Sequence, residues 1–407
     1  MYSPRTLAKF IKKNEKQFPV LLVTGPRQVG KTTLLKNLSK KNRKYVTLDN
    51  SELRLLAKED PQLFLERFKP PVMIDEVQYA PELLPYIKIY VDNHKKPGDF
   101  WLTGSQQFHL MKGVSESLAG RVGILNLLGL SLREVNANTT GDEPFVPTAM
   151  KLKKRFAAAK SQSLQSIYEI IWRGSFPAIS LHKKADMDYF YSSYVQTYLE
   201  RDVRDLANIG DLSSFLKFVR SAAARTGQLL NMSEMARDAG IKPATAKSWL
   251  SILEASGLVY LLEPYYTNLI KRFVKAPKLY FLDTGLASYL TRWSSPETLE
   301  SGSMSGAILE TFIFTEILKS YWHNGKREPL YYYRNKDEKE IDLLIVEDGT
   351  VYPLEFKKTS RPNKADIKHF NLVESLGLKV GEGGVICLAG EYIPITKSIH
   401  VLPIKCL

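Results

Sequence analysis

The sequence is poor in cysteine. Among its 407 residues only Cys387 and Cys406 carry thiols, at no metal-ligand spacing, so a disulfide framework and a cysteine-based metal site are both excluded. Long apolar runs are missing too. The longest, Val122 to Leu132, falls short of the ~20 residues a membrane helix needs. Residues Met1 to Lys16 are polar and basic, without the apolar segment of a secretory signal. There is no internal repeat and no low-complexity stretch. These absences are read as a cytoplasmic chain with no membrane partner.

What is present is a globular balance, 44% hydrophobic and 25% charged, in a length that suits two or three domains of about 150 residues each. Lys and Arg outnumber Asp and Glu, 57 to 43, for a net charge of +14. Such an excess suits a polyanionic partner, with DNA expected, or only keeps the chain soluble.

The most specific motif is Gly25-Pro-Arg-Gln-Val-Gly30-Lys31-Thr32-Thr33. It follows an apolar run, Val20–Thr24, and opens a helix expected over Lys31–Leu38. A glycine-rich loop between strand and helix lets backbone N–H groups close around phosphates at a positive helix end. The expected nucleotide-binding set is Gly25, Gln28, Val29, Gly30, Lys31, Thr32 and Thr33. Lys31 reaches the β- and γ-phosphates, and Thr32 ligates Mg²⁺. ATP and Mg²⁺ are therefore the expected cofactors.

A second apolar run, Val72-Met-Ile-Asp75-Glu76, ends in two carboxylates. Asp75 suits the metal's outer partner, and Glu76 a group that polarises the attacking water. A third run ends in Thr103-Gly-Ser105, and either hydroxyl could sense the γ-phosphate. Alternation of such runs with helical segments predicts a parallel sheet covered on both faces. Residues 136–160 break the pattern: turn-rich, then the charge run Lys151–Arg155, they read as an exposed loop.

Residues 228–265 read as a winged helix-turn-helix. A short helix ends at Gly240, Pro243 opens a second, and Leu258–Leu262 returns as a strand. Lys242, Thr245, Lys247 and Ser248 on the second helix suit a DNA groove, or the unit serves packing.

Near the C-terminus, Asp348-Gly349 between two apolar runs signals a two-residue hairpin. Asp342 then faces Glu355, Glu340 faces Lys357, and Lys357 shares the face of Glu355. Two facing carboxylates repel unless a cation lies between them, so a Mg²⁺ site is one reading and cross-strand ion pairs the other.

These motifs, with Leu118-Ala-Gly-Arg121, Arg173-Gly-Ser-Phe-Pro177, Tyr198-Leu-Glu-Arg-Asp202 and Lys278-Leu-Tyr-Phe-Leu-Asp-Thr-Gly-Leu-Ala287, resemble the prokaryotic AAA-type P-loop ATPases fused to a C-terminal domain of unknown function with a PD-(D/E)xK nuclease-like fold. The resemblance implies an α/β chain in three parts: an AAA-type ATPase domain with a helical lid (1–205), a winged helix-turn-helix (206–275) and a nuclease-like domain (276–407). It implies a catalytic set of Lys31, Glu76, Ser105 and Arg121, the last as a finger reaching a neighbouring subunit in a homo-oligomer, or else a surface arginine. It implies metal ligands Asp342 and Glu355 with a catalytic Lys357, joined by Glu310 rather than Glu316. The family pattern has Gly-Gly where this chain has Gly174-Ser175, so Arg173 is a lid arginine or a structural one. The expected activity is ATP hydrolysis that controls DNA binding or processing, with a regulatory ATPase carrying an inactive binding module as the alternative.

Overall fold

The computed structural model describes residues 2–104, 114, 116–138, 143–159, 163–203, 210–266 and 275–407. Five apolar runs form a parallel sheet: β1 (Val20–Thr24), β2 (Lys44–Thr47), β3 (Val72–Asp75), β4 (Phe100–Gly104) and β5 (Val122–Asn126), in the order β2-β3-β4-β1-β5. Alternating side chains divide between two cores. Val20, Leu22, Ile74 and Leu102 enter one, and Val23, Met73 and Trp101 the other. Helices α1 (Leu7–Asn14), α2 (Lys31–Leu38) and α3 (Leu83–His94) accompany the sheet. Because β3, β4 and β1 are adjacent interior strands running in parallel, the loops at their carboxyl ends open onto one crevice, where α/β sheets bind ligands.

The loop expected over 136–160 is only partly a loop. Ala149–Ala158 forms a helix, α4, with Leu152 and Arg155 buried on one side. The charge run is misleading because Arg155 turns inward and donates to the Cys406 and Leu407 carbonyls at 3.3 and 2.7 Å. Helices α5 (Leu164–Arg173) and α6 (Met187–Tyr194) follow.

The middle unit is α7 (Leu212–Ala224), β6 (Gln228–Leu229), α8 (Met232–Ala239), α9 (Pro243–Ala255) and β7 (Val259–Leu262), with β8 (Lys278–Phe281) completing an antiparallel sheet in the order β6-β8-β7. Gly240 closes α8 in the left-handed region, φ 68°. A boundary at 275/276 would part β8 from the two strands it pairs with.

Beyond α10 (Thr284–Leu290) and α11 (Ser305–Trp322) lies a mixed sheet of β9 (Leu330–Arg334), β10 (Glu340–Glu347), β11 (Thr350–Lys357), β12 (Lys379–Val380), β13 (Gly383–Cys387), β14 (Ile393–Pro394) and β15 (Ile399–Pro403). Asp348 and Gly349 turn the hairpin with φ of 49° and 72°, the backbone a type I′ turn requires. Leu343 stands opposite Leu354, the expected register. One apolar core runs from Leu7 and Val23 through Tyr191 and Leu253 to Leu402 and Leu407, so the units pack as one body. No described helix is long and apolar enough to cross a membrane.

Candidate functional site

The loop between β1 and α2 needs its glycines. At Gly25, φ is 145° and a Cβ would lie 2.0 Å from the Leu127 carbonyl oxygen, so no other residue fits. Gly30, at φ 94°, precedes α2 and leaves its first N–H groups free for an anion. Gln28 is also left-handed, Val29 is buried, and Thr33 is exposed on the cleft.

Lys31 is buried, and its ammonium folds back on the loop, donating to the Gly25 and Pro26 carbonyls at 2.9 and 2.7 Å. Burial pushes its pKa down to about 8 against the pull of Glu76 and Asp75. Phosphate oxygens would stabilise the charge that burial opposes.

Asp75 ends β3 among three hydroxyls. Thr32 donates to Oδ1 at 2.7 Å, Thr103 also donates to Oδ1, and Tyr45 donates to Oδ2 at 3.0 Å. This oxygen-only pair of Thr32 and Asp75 fits Mg²⁺, which prefers hard ligands and retained waters. Glu76 sits in the left-handed region at φ 58°, its N–H on Thr103 Oγ1 at 3.2 Å, its carboxylate accepting from Gln78. Thr103 thus holds both acids. Ser105, the other hydroxyl considered, lies outside the described residues.

A cavity of about 420 Å³ opens in front, lined by Lys31, Thr32, Asp49, Glu76, Tyr194 and Tyr198 among others. A second of about 190 Å³ lies beside it, against Tyr2, Gly30, Thr33, Pro177 and His182.

Tyr45 escaped the sequence reading. Its only trace is a tyrosine early in the run beside β3, since β2 and β3 are neighbours. The ring also carries Lys36 Nζ 3.6 Å from its centroid. We expect Tyr45→Phe to raise the Mg²⁺ concentration for half-maximal ATP turnover about 3–10-fold, as one hydrogen bond to a charged group is lost. Mg²⁺ titration of phosphate release checks this, and an unchanged half-saturation would remove Tyr45 from the site.

Arg121 is elsewhere. Val20 pairs with Val122 and Thr24 with Asn126, so Arg121 precedes the start of β5, roughly 17 Å from the strand end that feeds the glycine loop. It forms a two-bond ion pair with Asp92, at 2.5 and 3.0 Å. Arg173 caps the carbonyls of Ile179, His182 and Ala185 and does not line the nucleotide cleft. Ser175, where glycine was expected, donates through both N–H and Oγ to Asp283 Oδ2 at 2.7 and 2.8 Å. Tyr191 donates to the other oxygen at 2.8 Å.

At the C-terminal hairpin, Asp342 accepts from Phe356 N–H at 2.8 Å, and Glu355 accepts from Lys357 at 2.8 Å. Burial, then the nearby Asp342, pushes Glu355 up to about 8. Glu310 on α11 joins this group. Glu316 does not: its carboxylate accepts from Leu132 N–H at 2.7 Å and pairs with Lys319. An unforeseen residue stands among the acids. Lys278, 2% exposed, places its ammonium 2.6 Å from Glu340, 3.0 Å from Glu310 and 3.8 Å from Asp342. Burial opposes that charge, but Tyr280 and the three carboxylates outweigh it and raise the pKa. Among the described residues no three His, Cys, Asp or Glu side chains are placed to hold a metal ion. The acids here do not fit one.

Residues 17–136 match the family described as an AAA domain. That stretch is an AAA-type ATPase module. Residues 164–297 and 305–407 match two domains of unknown function, DUF8612 and DUF4143. Uncharacterized proteins of Mycobacterium tuberculosis and Mycobacterium bovis are each 28% identical over 387 residues, covering 95% of this chain and 80% of theirs. Solved structures with some likeness include a Walker-type ATPase of Pyrococcus abyssi, at 15% identity and TM-score 0.40, covering 70% of this chain and 94% of that one. The Thermotoga maritima RuvB Holliday junction branch migration motor follows at 16% and 0.30, covering 62% and 86%. The AAA-type assignment rests on the matched family, the strand order and the glycine loop, not on these distant structures.

Proposed function

We propose that the chain is a Mg²⁺-dependent ATP hydrolase whose nucleotide state controls how its middle and C-terminal units engage DNA. The observation that carries the hydrolase is the junction of Thr32, Asp75, Thr103 and Glu76 on the glycine loop's crevice. In this reading Lys31 holds the β- and γ-phosphates, Thr32 and Asp75 hold the metal ion, and Glu76 orients the water. The nucleoside lies in the second cavity, between Tyr2, Thr33 and His182. Arg121 stands too far from its own cleft to touch phosphate, which supports a role in trans within a homo-oligomer.

Control runs through Asp283. It binds Ser175, two residues before Pro177 on the nucleotide cleft, and it directly follows β8 and Leu282. The chain order α7-β6-α8-α9-β7-β8, with the strands paired β6-β8-β7, supports a winged helix, with Lys242 exposed at the N-cap of α9 and Lys247 and Ser248 exposed on it. A second reading has the C-terminal domain bind without cleaving, and Lys278 inside the carboxylates favours it.

Fluorescence anisotropy of labelled duplex and junction DNA, with ATP analogue or ADP, tests the proposal. We expect affinity to differ between the two nucleotide states. Lys242→Ala with Lys247→Ala should weaken binding and flatten its salt dependence by about two phosphate contacts. Equal, negligible binding in both states would sink the DNA reading and leave the hydrolase standing.

A further inference from the structure

We infer that the acidic cluster of the C-terminal hairpin carries its own cation, the ammonium of Lys278, in the place where a nuclease of this kind would hold a divalent metal. The inference rests on reading the hairpin as nuclease-like, and it settles which version of that reading the chain embodies.

The geometry is that of a resident charge. Lys278 comes from β8, the central strand of the middle sheet, and its side chain is 3% exposed. Its ammonium meets Glu340 and Glu310 at 2.6 and 3.0 Å, with Asp342 next at 3.8 Å. Tyr280, two residues on along the same face, donates to Glu310 at 2.7 Å, so that carboxylate is doubly engaged. On the far side, Asp342 spends its other oxygen on Phe356 N–H, and Glu355 spends one on Lys357. Within this cluster of described residues, Glu355 Oε2 is buried without a hydrogen-bond partner. A Mg²⁺ ion needs several oxygens at ~2.1 Å in an octahedron. Here the converging oxygens are spaced for N–H donors, and a doubly charged ion would sit against a buried ammonium, where repulsion is poorly screened.

The consequence is a junction in place of a cleaving site. Lys278 belongs to the middle sheet, whereas Glu340 and Asp342 belong to the C-terminal one. One buried lysine therefore fastens the two units and fills the carboxylates that would activate water. The C-terminal domain becomes a metal-independent binding surface whose apolar packing on β8 is reinforced by the Lys278 ion pairs, while Asp283 links the end of β8 to the lid by hydrogen bonds.

Mn²⁺ uptake by the full-length, nucleotide-free protein tests this, followed by loss of the free-ion electron paramagnetic resonance signal. We expect wild type and Asp342→Asn to take up the same Mn²⁺, because the cluster contributes none. Lys278→Met should gain one site per chain, lost again when Asp342→Asn is added. Wild-type uptake that Asp342→Asn abolishes would overturn the lysine and leave the nuclease-like reading standing. A folded Lys278→Met protein, judged by circular dichroism, that gains no Mn²⁺ would overturn both. Should Lys278→Met not fold, wild type against Asp342→Asn still decides.

Discussion

Glu76→Gln should bind ATP as wild type does and hydrolyse it about 10²–10⁴-fold more slowly. The change keeps the size of the side chain and removes the charge that polarises water. Everything that grips phosphate lies elsewhere: the glycine loop, Lys31 and the start of α2. Thr103 still meets the backbone N–H of residue 76, so the strand end keeps its shape. Lys31→Ala should fail at the earlier step, with ATP affinity itself lost. The buried ammonium also sets a pH window. Its pKa of about 8 means that the nucleotide-free protein loses this charge as pH rises through that value, so ATP binding should weaken above it. The sign for stability is opposite. A lysine with a depressed pKa contributes stability fully only above its unfolded value near 10.4, and that contribution is lost as pH falls through 8. Nucleotide titrations and steady-state phosphate release, run side by side, check the separation. A Glu76→Gln protein turning over at the wild-type rate would remove Glu76 from the chemistry.

Much of this site was legible because local patterns carry it. Strand, glycine loop and helix are contiguous in Val20–Leu38, so their sequence signal and their geometry coincide. The carboxylate pair closing β3 is legible for the same reason, as is the hairpin register, which Asp348-Gly349 sets by turn chemistry alone. Residues that arrive from a distance left no such trace. Tyr45 reaches Asp75 from the neighbouring strand. Lys278 heads an apolar run that alternation explains as core, and only the fold turns its head group into a knot of acids. Arg155 lies in a charge run that reads as an exposed loop, and only the fold brings it the C-terminal carbonyls as partners. Periodicity reports which face a residue occupies. It is silent about which charge meets which across the fold.

Glu134→Ala should be the most damaging single change outside the nucleotide site, costing about 3–5 kcal/mol of stability, because it strands buried charge. The Glu134 side chain is fully buried and meets Arg5 Nε at 3.1 Å and His323 Nδ1 at 3.3 Å. It also accepts the backbone N–H groups of Thr6 and Ser131, at 2.8 and 3.0 Å. Burial alone would raise its pKa, but Arg5, His323 and those donors outweigh burial and hold it far below the carboxylate range. A depressed carboxylate pKa contributes stability above its unfolded value near 4.3, and that contribution is lost as pH falls toward the folded value. Acid should therefore weaken wild type over a range in which the alanine variant changes less. The damage should reach ATP as well. Arg5 donates to the Val29 carbonyl at 2.8 Å, inside the glycine loop, and to Leu128 at 2.7 Å. His323, just beyond α11, accepts from Leu128 N–H at 3.2 Å. Glu134 thus lies where the N-terminal segment, the nucleotide loop and the C-terminal unit converge. Glu134→Gln keeps the shape and part of the hydrogen bonding, so its loss should be smaller and should fall mostly on the charge term. Urea denaturation from about pH 2 to 7, which spans the window below the unfolded value, with ATP affinity measured near neutral pH, checks each part. An alanine variant with the wild-type midpoint and the wild-type ATP affinity would show that these buried charges do not hold the three segments together.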